Sequence, residues 1–117
     1  MATKLKINRG TTYTIDVVYT KSGVATSLVG STVRFTMKTD EYDEDADDST
    51  AVLVKNITDG NADGEATIVI TPANTATMAV QKYYYDIKVD EDSDGVNVYK
   101  IDEGTIDLDG SPTNRLS

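Results

Sequence analysis

Thr32-Val33-Arg34-Phe35-Thr36-Met37-Lys38 carries an apolar side chain at every second position and a polar one between. Successive side chains of a strand point to opposite faces, so this stretch reads as a strand with one dry face and one wet face. Val33, Phe35 and Met37 are the candidate core residues. The same period of two extends outward in both directions. Upstream, Tyr13, Ile15, Val17 and Tyr19 alternate with Thr12, Thr14 and Asp16, and Leu5 and Ile7 alternate with Lys4, Lys6 and Asn8. Downstream, Val52 and Val54 mark a short strand, Ala66, Ile68 and Ile70 another, and Tyr83, Tyr85, Ile87 and Val89 a longer one. Val96 to Ile101 reads as a return strand, and Ile106 with Leu108 as a separate last strand after Glu103-Gly104. Residues 72–80 break the pattern, and Thr71 followed by Pro72 suits the cap and first position of one helical turn. Turn signals such as Ser22-Gly23, Asp59-Gly60 and Asp63-Gly64 recur about every ten residues, which predicts an antiparallel sandwich rather than a parallel βαβ fold. The strands at Lys4–Arg9 and Thr105–Leu108 are expected at sheet edges, where unpaired backbone groups invite another chain.

Composition removes many kinds of chemistry. The chain has 117 residues with no Cys, no His and no Trp, and its 11 Lys and Arg against 20 Asp and Glu give a net charge of −9. Without Cys there is no disulfide, thiolate ligand or thiol nucleophile, and without His the ordinary base near neutral pH is missing. A surface this acidic repels phosphate backbones, so nucleic acid is not an expected partner. Residues 1–20 hold no long apolar run, so neither a signal peptide nor a membrane partner is expected. No cofactor and no catalytic residue is expected. Residues 1–109 read as one domain, and residues 110–117 as a tail that would fray unless a neighbouring subunit held it.

A few stretches invite a sharper reading. Asp90-Glu91-Asp92-Ser93-Asp94-Gly95 opens like a calcium loop, as does Asp59-Gly60-Asn61-Ala62-Asp63-Gly64. Calcium needs a closing bidentate carboxylate, and those positions hold Ile101 and Ile70. Asp-Gly pairs are also what tight hairpin turns require, and the hairpin reading is favoured. Weak calcium binding by Asp90, Asp92 and Asp94 stays open beside it. Asp40 to Asp48 packs seven acids into nine residues, a solvated loop or a strip for a basic partner. Tyr83 or Tyr85 suits a tyrosine corner, with its hydroxyl bonded to nearby backbone. Tyr84 falls on the opposite face and is an interface candidate, as are Lys4 and Lys6 on the first strand and Arg115 and Leu116 in the tail.

Taken in order, Arg9-Gly10, "TYTIDVVYT", "LVGSTVRFTMK", "GEATIVIT", "YYYDIKV" and "VNVYKIDEGTIDL" resemble a known family. Over about residues 7–109 the chain is similar to the small immunoglobulin-like β-sandwich of tailed-bacteriophage virion proteins, such as the N-terminal domain of phage baseplate upper proteins. Leu28-Val29-Gly30, Val33-Arg34-Phe35 and Tyr85-Asp86-Ile87 carry most of the likeness. The acidic insert at 40–48 and Gln81-Lys82, where the family has a glycine, depart from it. The resemblance implies an immunoglobulin-like sandwich of seven or eight strands with at most one short helical turn near 72–79. It also implies a non-enzymatic building block with no cofactor, assembled in the host cytoplasm into the virion. There it would contact other virion proteins and copies of itself, as capsid decoration or as a neck, tail or baseplate adaptor. The rival expectation is an adhesion or carbohydrate-binding module of the same fold, with weak calcium binding.

Overall fold

The computed structural model describes residues 2–39, 51–93 and 95–110. The acidic run at 40–48, Asp94, and the tail with Arg115 and Leu116 therefore lie outside the described residues. The strands are β1 (Ala2–Asn8), β2 (Tyr13–Val18), β3 (Thr20–Lys21), β4 (Val24–Ala25), β5 (Thr32–Lys38), β6 (Leu53–Ile57), β7 (Glu65–Ile70), β8 (Lys82–Glu91) and β9 (Asn97–Asp109). One helical turn, α1 (Pro72–Thr75), stands where the alternation lapses, closed by a capping box between Thr71 and Asn74.

A five-stranded sheet in the order β1-β9-β8-β5-β6 packs on the pair β2-β7, while β3 and β4 form a small hairpin. The long strands turn their alternating apolar residues inward. On β6 it is Leu53 and Ile57 that face the core, opposite Met37 and Val33. Val52 and Val54, the residues that mark this strand in the sequence, are exposed, because register with β5 sets the face. Val33, Phe35 and Met37 on β5, Tyr83, Tyr85, Ile87 and Val89 on β8, and Ile106 and Leu108 on β9 are buried against Val17, Ala66, Ile68 and Ile70. Burying each of the larger side chains stabilises the fold by about 1.5–3 kcal/mol. The pairing of β2 with β7, facing a sheet in the order β9-β8-β5-β6, makes the chain an all-β immunoglobulin-like sandwich.

The structure differs from the expectation in three further, related ways. The first strand runs parallel to β9, with Leu5 opposite Ile106, whereas every other pairing is antiparallel. Alternation reveals a strand but not its direction, and β1 and β2 lie in different sheets, so no hairpin forces them antiparallel. The two strands expected at 96–101 and 105–108 are one continuous strand. Its register against β8 steps from Ile87 opposite Asp102 to Lys88 opposite Lys100, which leaves Ile101 as the extra residue of a β-bulge. One extra residue flips the phase of everything beyond it, so Tyr99 shares the inner face with Ile106 despite the wrong parity. The bulge made one strand look like two. Lastly, β9 lies between β1 and β8, so the sheet edges are β1 and β6, and the last strand is not an edge.

At the end of the sandwich near α1, the Tyr83 hydroxyl donates to the Ala79 carbonyl at 2.6 Å, the tyrosine corner expected of Tyr83 or Tyr85. Thr75, buried in α1, accepts the Gly10 N–H at 2.9 Å, and the Arg9 guanidinium donates to the Met78 carbonyl at 3.2 Å. These bonds tie the β1–β2 turn to the β7–β8 connection.

Candidate functional site

Three turns meet at the opposite end of the sandwich. The β3–β4 hairpin closes through Ser22 (φ 51°) and Gly23 (φ 80°), two residues with positive φ as a type I′ turn demands. Val29-Gly30 forms the turn that enters β5. Residues 92–96 join β8 to β9, with Asp92 and Ser93 both at positive φ. These turns are bolted together. The Ser93 hydroxyl donates to the Gly30 carbonyl at 3.0 Å and lies 2.7 Å from the Thr32 hydroxyl. One carboxylate oxygen of Glu91 accepts from the Tyr19 hydroxyl at 2.7 Å and pairs with the Lys21 ammonium at 2.5 Å. The same ammonium stands 5.0 Å above the Tyr99 ring.

The polar trio fixes charge rather than activating it. Burial, and then donation to Glu91, push the Tyr19 phenol up to about 12. The Glu91 bond also holds the Lys21 ammonium above its ordinary value, while Lys21 and then Tyr19 hold the Glu91 carboxyl below its own. A nucleophile or base needs the reverse shifts on phenol and amine. The pH signs follow directly. The Tyr19 contribution to stability is complete below its unfolded value of 10.0 and is lost as pH rises toward about 12. The Glu91 contribution is complete above 4.5 and is lost as pH falls through its lowered folded value. In an ultraviolet titration, one tyrosine should therefore ionise near 12, and Glu91→Gln should bring that midpoint back toward 10. A Tyr19 titration that ignores the substitution would contradict the bond.

Around this bolt, residues beside the turns are apolar. Val24 is 66% exposed, Val29 66% and Val96 74%. Turns are ordinarily built of Gly, Asn, Asp, Ser or Pro, and an exposed valine at each of three joined turns makes an apolar crown. Val98 and Tyr99, both part-exposed, extend it down β9.

The calcium candidates sit within this end. The Asp90 carboxylate is buried and accepts the Gly95 N–H at 2.9 Å, while its carbonyl accepts the Ser93 N–H at 3.2 Å. Asp90 thus acts as the clasp of the hairpin, and Asp92 lies at the exposed tip. In the other calcium-like stretch, the Asn61 side-chain oxygen accepts the N–H groups of Asp63 and Glu65, again a turn. Among the described residues, no three Asp, Glu, His or Cys side chains converge as metal ligands.

The interface candidates on the strands are brought onto one surface, the outer face of the five-stranded sheet. Lys4 and Lys6 project from β1 and pair with Asp107 and Asp109 at 3.3 Å each. Lys4 is opposite Thr105, which is opposite Tyr84, which is opposite Lys38, so Tyr84 sits half-buried in the middle of that row. Register places Lys82, Lys88, Lys100 and Arg34 on the same face. Reading the sequence missed Tyr19, Lys21 and Glu91 as a unit, because they belong to three segments that only the fold brings together. The valines did leave a signal, an isolated apolar residue beside each turn glycine in Gly23-Val24, Val29-Gly30 and Gly95-Val96.

No family model matches the chain, and no curated protein matches it. Among solved structures, the chain is similar to that of the NK cell receptor Nkp44, at 15% identity and TM-score 0.46 over 95% of this chain and 99% of that one. It is similar to Tim-2 at 9% identity and TM-score 0.47, covering 98% of each chain. A structure concerned with multimeric cell-adhesive interactions of VGSC beta subunits is similar at 10% identity and TM-score 0.39, over 96% of this chain and 93% of that one.

Proposed function

We propose that this chain is a non-enzymatic structural module that works by protein–protein contact, with the apolar crown as its contact surface. The observation that carries this reading is the exposure of Val24, Val29 and Val96 on three turns held rigid by Ser93 and Glu91. Apolar area left in water is unfavourable, and turns already locked lose little entropy when a partner covers them. The setting we propose is a tailed-bacteriophage particle, as capsid decoration or as a neck, tail or baseplate adaptor. Its support is the sequence resemblance, and one crown residue, Val29, lies in the Leu28-Val29-Gly30 stretch that carries it.

The test is incorporation into particles. Phage particles purified from cells that carry the coding sequence should contain the chain in a fixed ratio to the major capsid protein. The triple variant Val24→Ser, Val29→Ser, Val96→Ser should be left out of those particles. As an isolated protein it should melt within about 6 °C of the parent, since exposed substitutions rarely exceed about 0.5 kcal/mol each. Particles without the chain would refute the setting, and undiminished incorporation of the variant would refute the crown.

A further inference from the structure

An aspartate followed by glycine is prone to rearrange, because no side chain shields the glycine nitrogen from the carboxyl before it. The chain holds four such pairs, Asp59-Gly60, Asp63-Gly64, Asp94-Gly95 and Asp109-Gly110. The fold restrains three of them. Gly64 is buried and its N–H donates to the Asn61 carbonyl at 3.2 Å, while the Asn61 side chain accepts the Asp63 N–H at 3.0 Å. The Gly95 N–H donates to the Asp90 carboxylate at 2.9 Å. The Asp109 carboxylate pairs with Lys6 at 3.3 Å, and the Asp109 carbonyl accepts the Arg9 N–H at 2.8 Å.

Asp59 and Gly60 differ. They lie outside every strand, Asp59 is exposed, and no described residue bonds the Asp59 carboxylate or the Gly60 N–H. Packing nevertheless demands a glycine there. A Cβ on Gly60 would stand 2.6 Å from the Cβ of Leu28, a side chain with no exposed surface. Leu28 immediately precedes Val29 of the crown, and its N–H donates to the Asn61 carbonyl at 3.0 Å.

We propose that Asp59-Gly60 is a site of spontaneous isoaspartate formation, a covalent modification that needs no enzyme and loosens the turn bearing Val29. The Gly60 nitrogen attacks the side-chain carboxyl carbon of Asp59. A C–N bond forms, a C–O bond breaks, and the carboxyl hydroxyl leaves as water with the amide proton. Water then opens the resulting succinimide at either carbonyl. One opening restores aspartate, and the other routes the main chain through the side chain, one methylene longer. One water is lost and one regained, and nothing is oxidised or reduced. A longer backbone at Gly60 has no room against Leu28, so the loop or Leu28 must shift, and the bond between Leu28 and Asn61 carries the shift toward Val29. The chemistry is independent of the contact surface proposed above, and only its bearing on that surface rests on that reading.

Peptide mapping with electron-based fragmentation tests this on the full chain, aged for weeks in warm neutral buffer. Isoaspartate should accumulate at residue 59 several-fold faster than at 63, 94 or 109. In denaturant, where all four glycine nitrogens are free, the four rates should converge. Asp59→Glu, which would have to close a larger ring, should fold as the parent and stay unmodified at that position. Its melting temperature should survive ageing, while that of the aged parent falls. Isoaspartate spread evenly over the four pairs of the folded chain would overturn the proposal, as would its absence from residue 59. A lead at residue 59 that persists in denaturant would overturn the structural cause. Modification there with an unchanged melting temperature would overturn the coupling to Leu28.

Discussion

Gly64→Ala should be among the most damaging single substitutions in the molecule, lowering the melting temperature by roughly 8–20 °C, or about 2–5 kcal/mol. Gly64 has φ +79°, and a Cβ there would stand 2.6 Å from the Thr26 carbonyl oxygen and 2.7 Å from that of Tyr19. Both obstacles are backbone, and both belong to residues already hydrogen-bonded in place. The Tyr19 N–H donates to the Gly64 carbonyl at 2.7 Å, and the Thr26 N–H donates to the Tyr19 carbonyl at 2.9 Å. Relieving the overlap means pulling the β3–β4 hairpin off the turn before β7. The left-handed conformation alone costs a side chain about 1–2 kcal/mol, and the forced backbone shift adds about 1–3. Gly10 provides the control, with the same φ of +79° but nothing within 4 Å of its imaginary Cβ. Gly10→Ala should cost only the conformational part, about 4–8 °C. Thermal unfolding of both variants checks the argument, and equal losses would mean that the crowding at Gly64 is immaterial.

Phe35→Ala should rival it, at about 3–5 kcal/mol. Phe35 is fully buried on the middle of β5, opposite Ile87 on one side and Lys55 on the other, and its ring stacks on Tyr85 with centroids 5.7 Å apart. Truncation removes the transfer energy of the ring and leaves a void bounded by strands on both sides, which cannot collapse without breaking the sheet. Phe35→Leu should cost less than about 1.5 kcal/mol, because it keeps most of the volume. A Phe35→Ala protein that unfolds in denaturant near the parent midpoint would show that the two sheets do not depend on this contact.

Most of the strands were legible because a half-buried strand has only one pattern that buries one face, and a shift of one residue would expose all of it. Val33, Phe35, Met37, Ile68, Ile70, Tyr83 and Tyr85 were readable as core for that reason. So was the helical turn, since Thr71-Pro72 is a local chemical signal. The β8–β9 connection misled at Glu103-Gly104, where a bulge at Ile101 reversed the phase without ending the strand. Of the candidate site, Lys4, Lys6 and Tyr84 were named singly, but nothing linear said that they share a face. The Tyr19–Glu91–Lys21 bolt joins residues separated by up to 72 positions, a distance at which local pattern carries no information.

What the sequence determined by itself was therefore everything that depends on neighbours along the chain: which segments are strands, which side chains of the long strands face inward, where the turns lie, and a charge of −9. Only the tertiary structure decided which strands pair and in which direction, that three valine-flanked turns meet at one end, and that seven cations gather on one sheet face. The physical reason is that burial and backbone conformation are local requirements, satisfied residue by residue, whereas a surface is a sum over strands brought side by side.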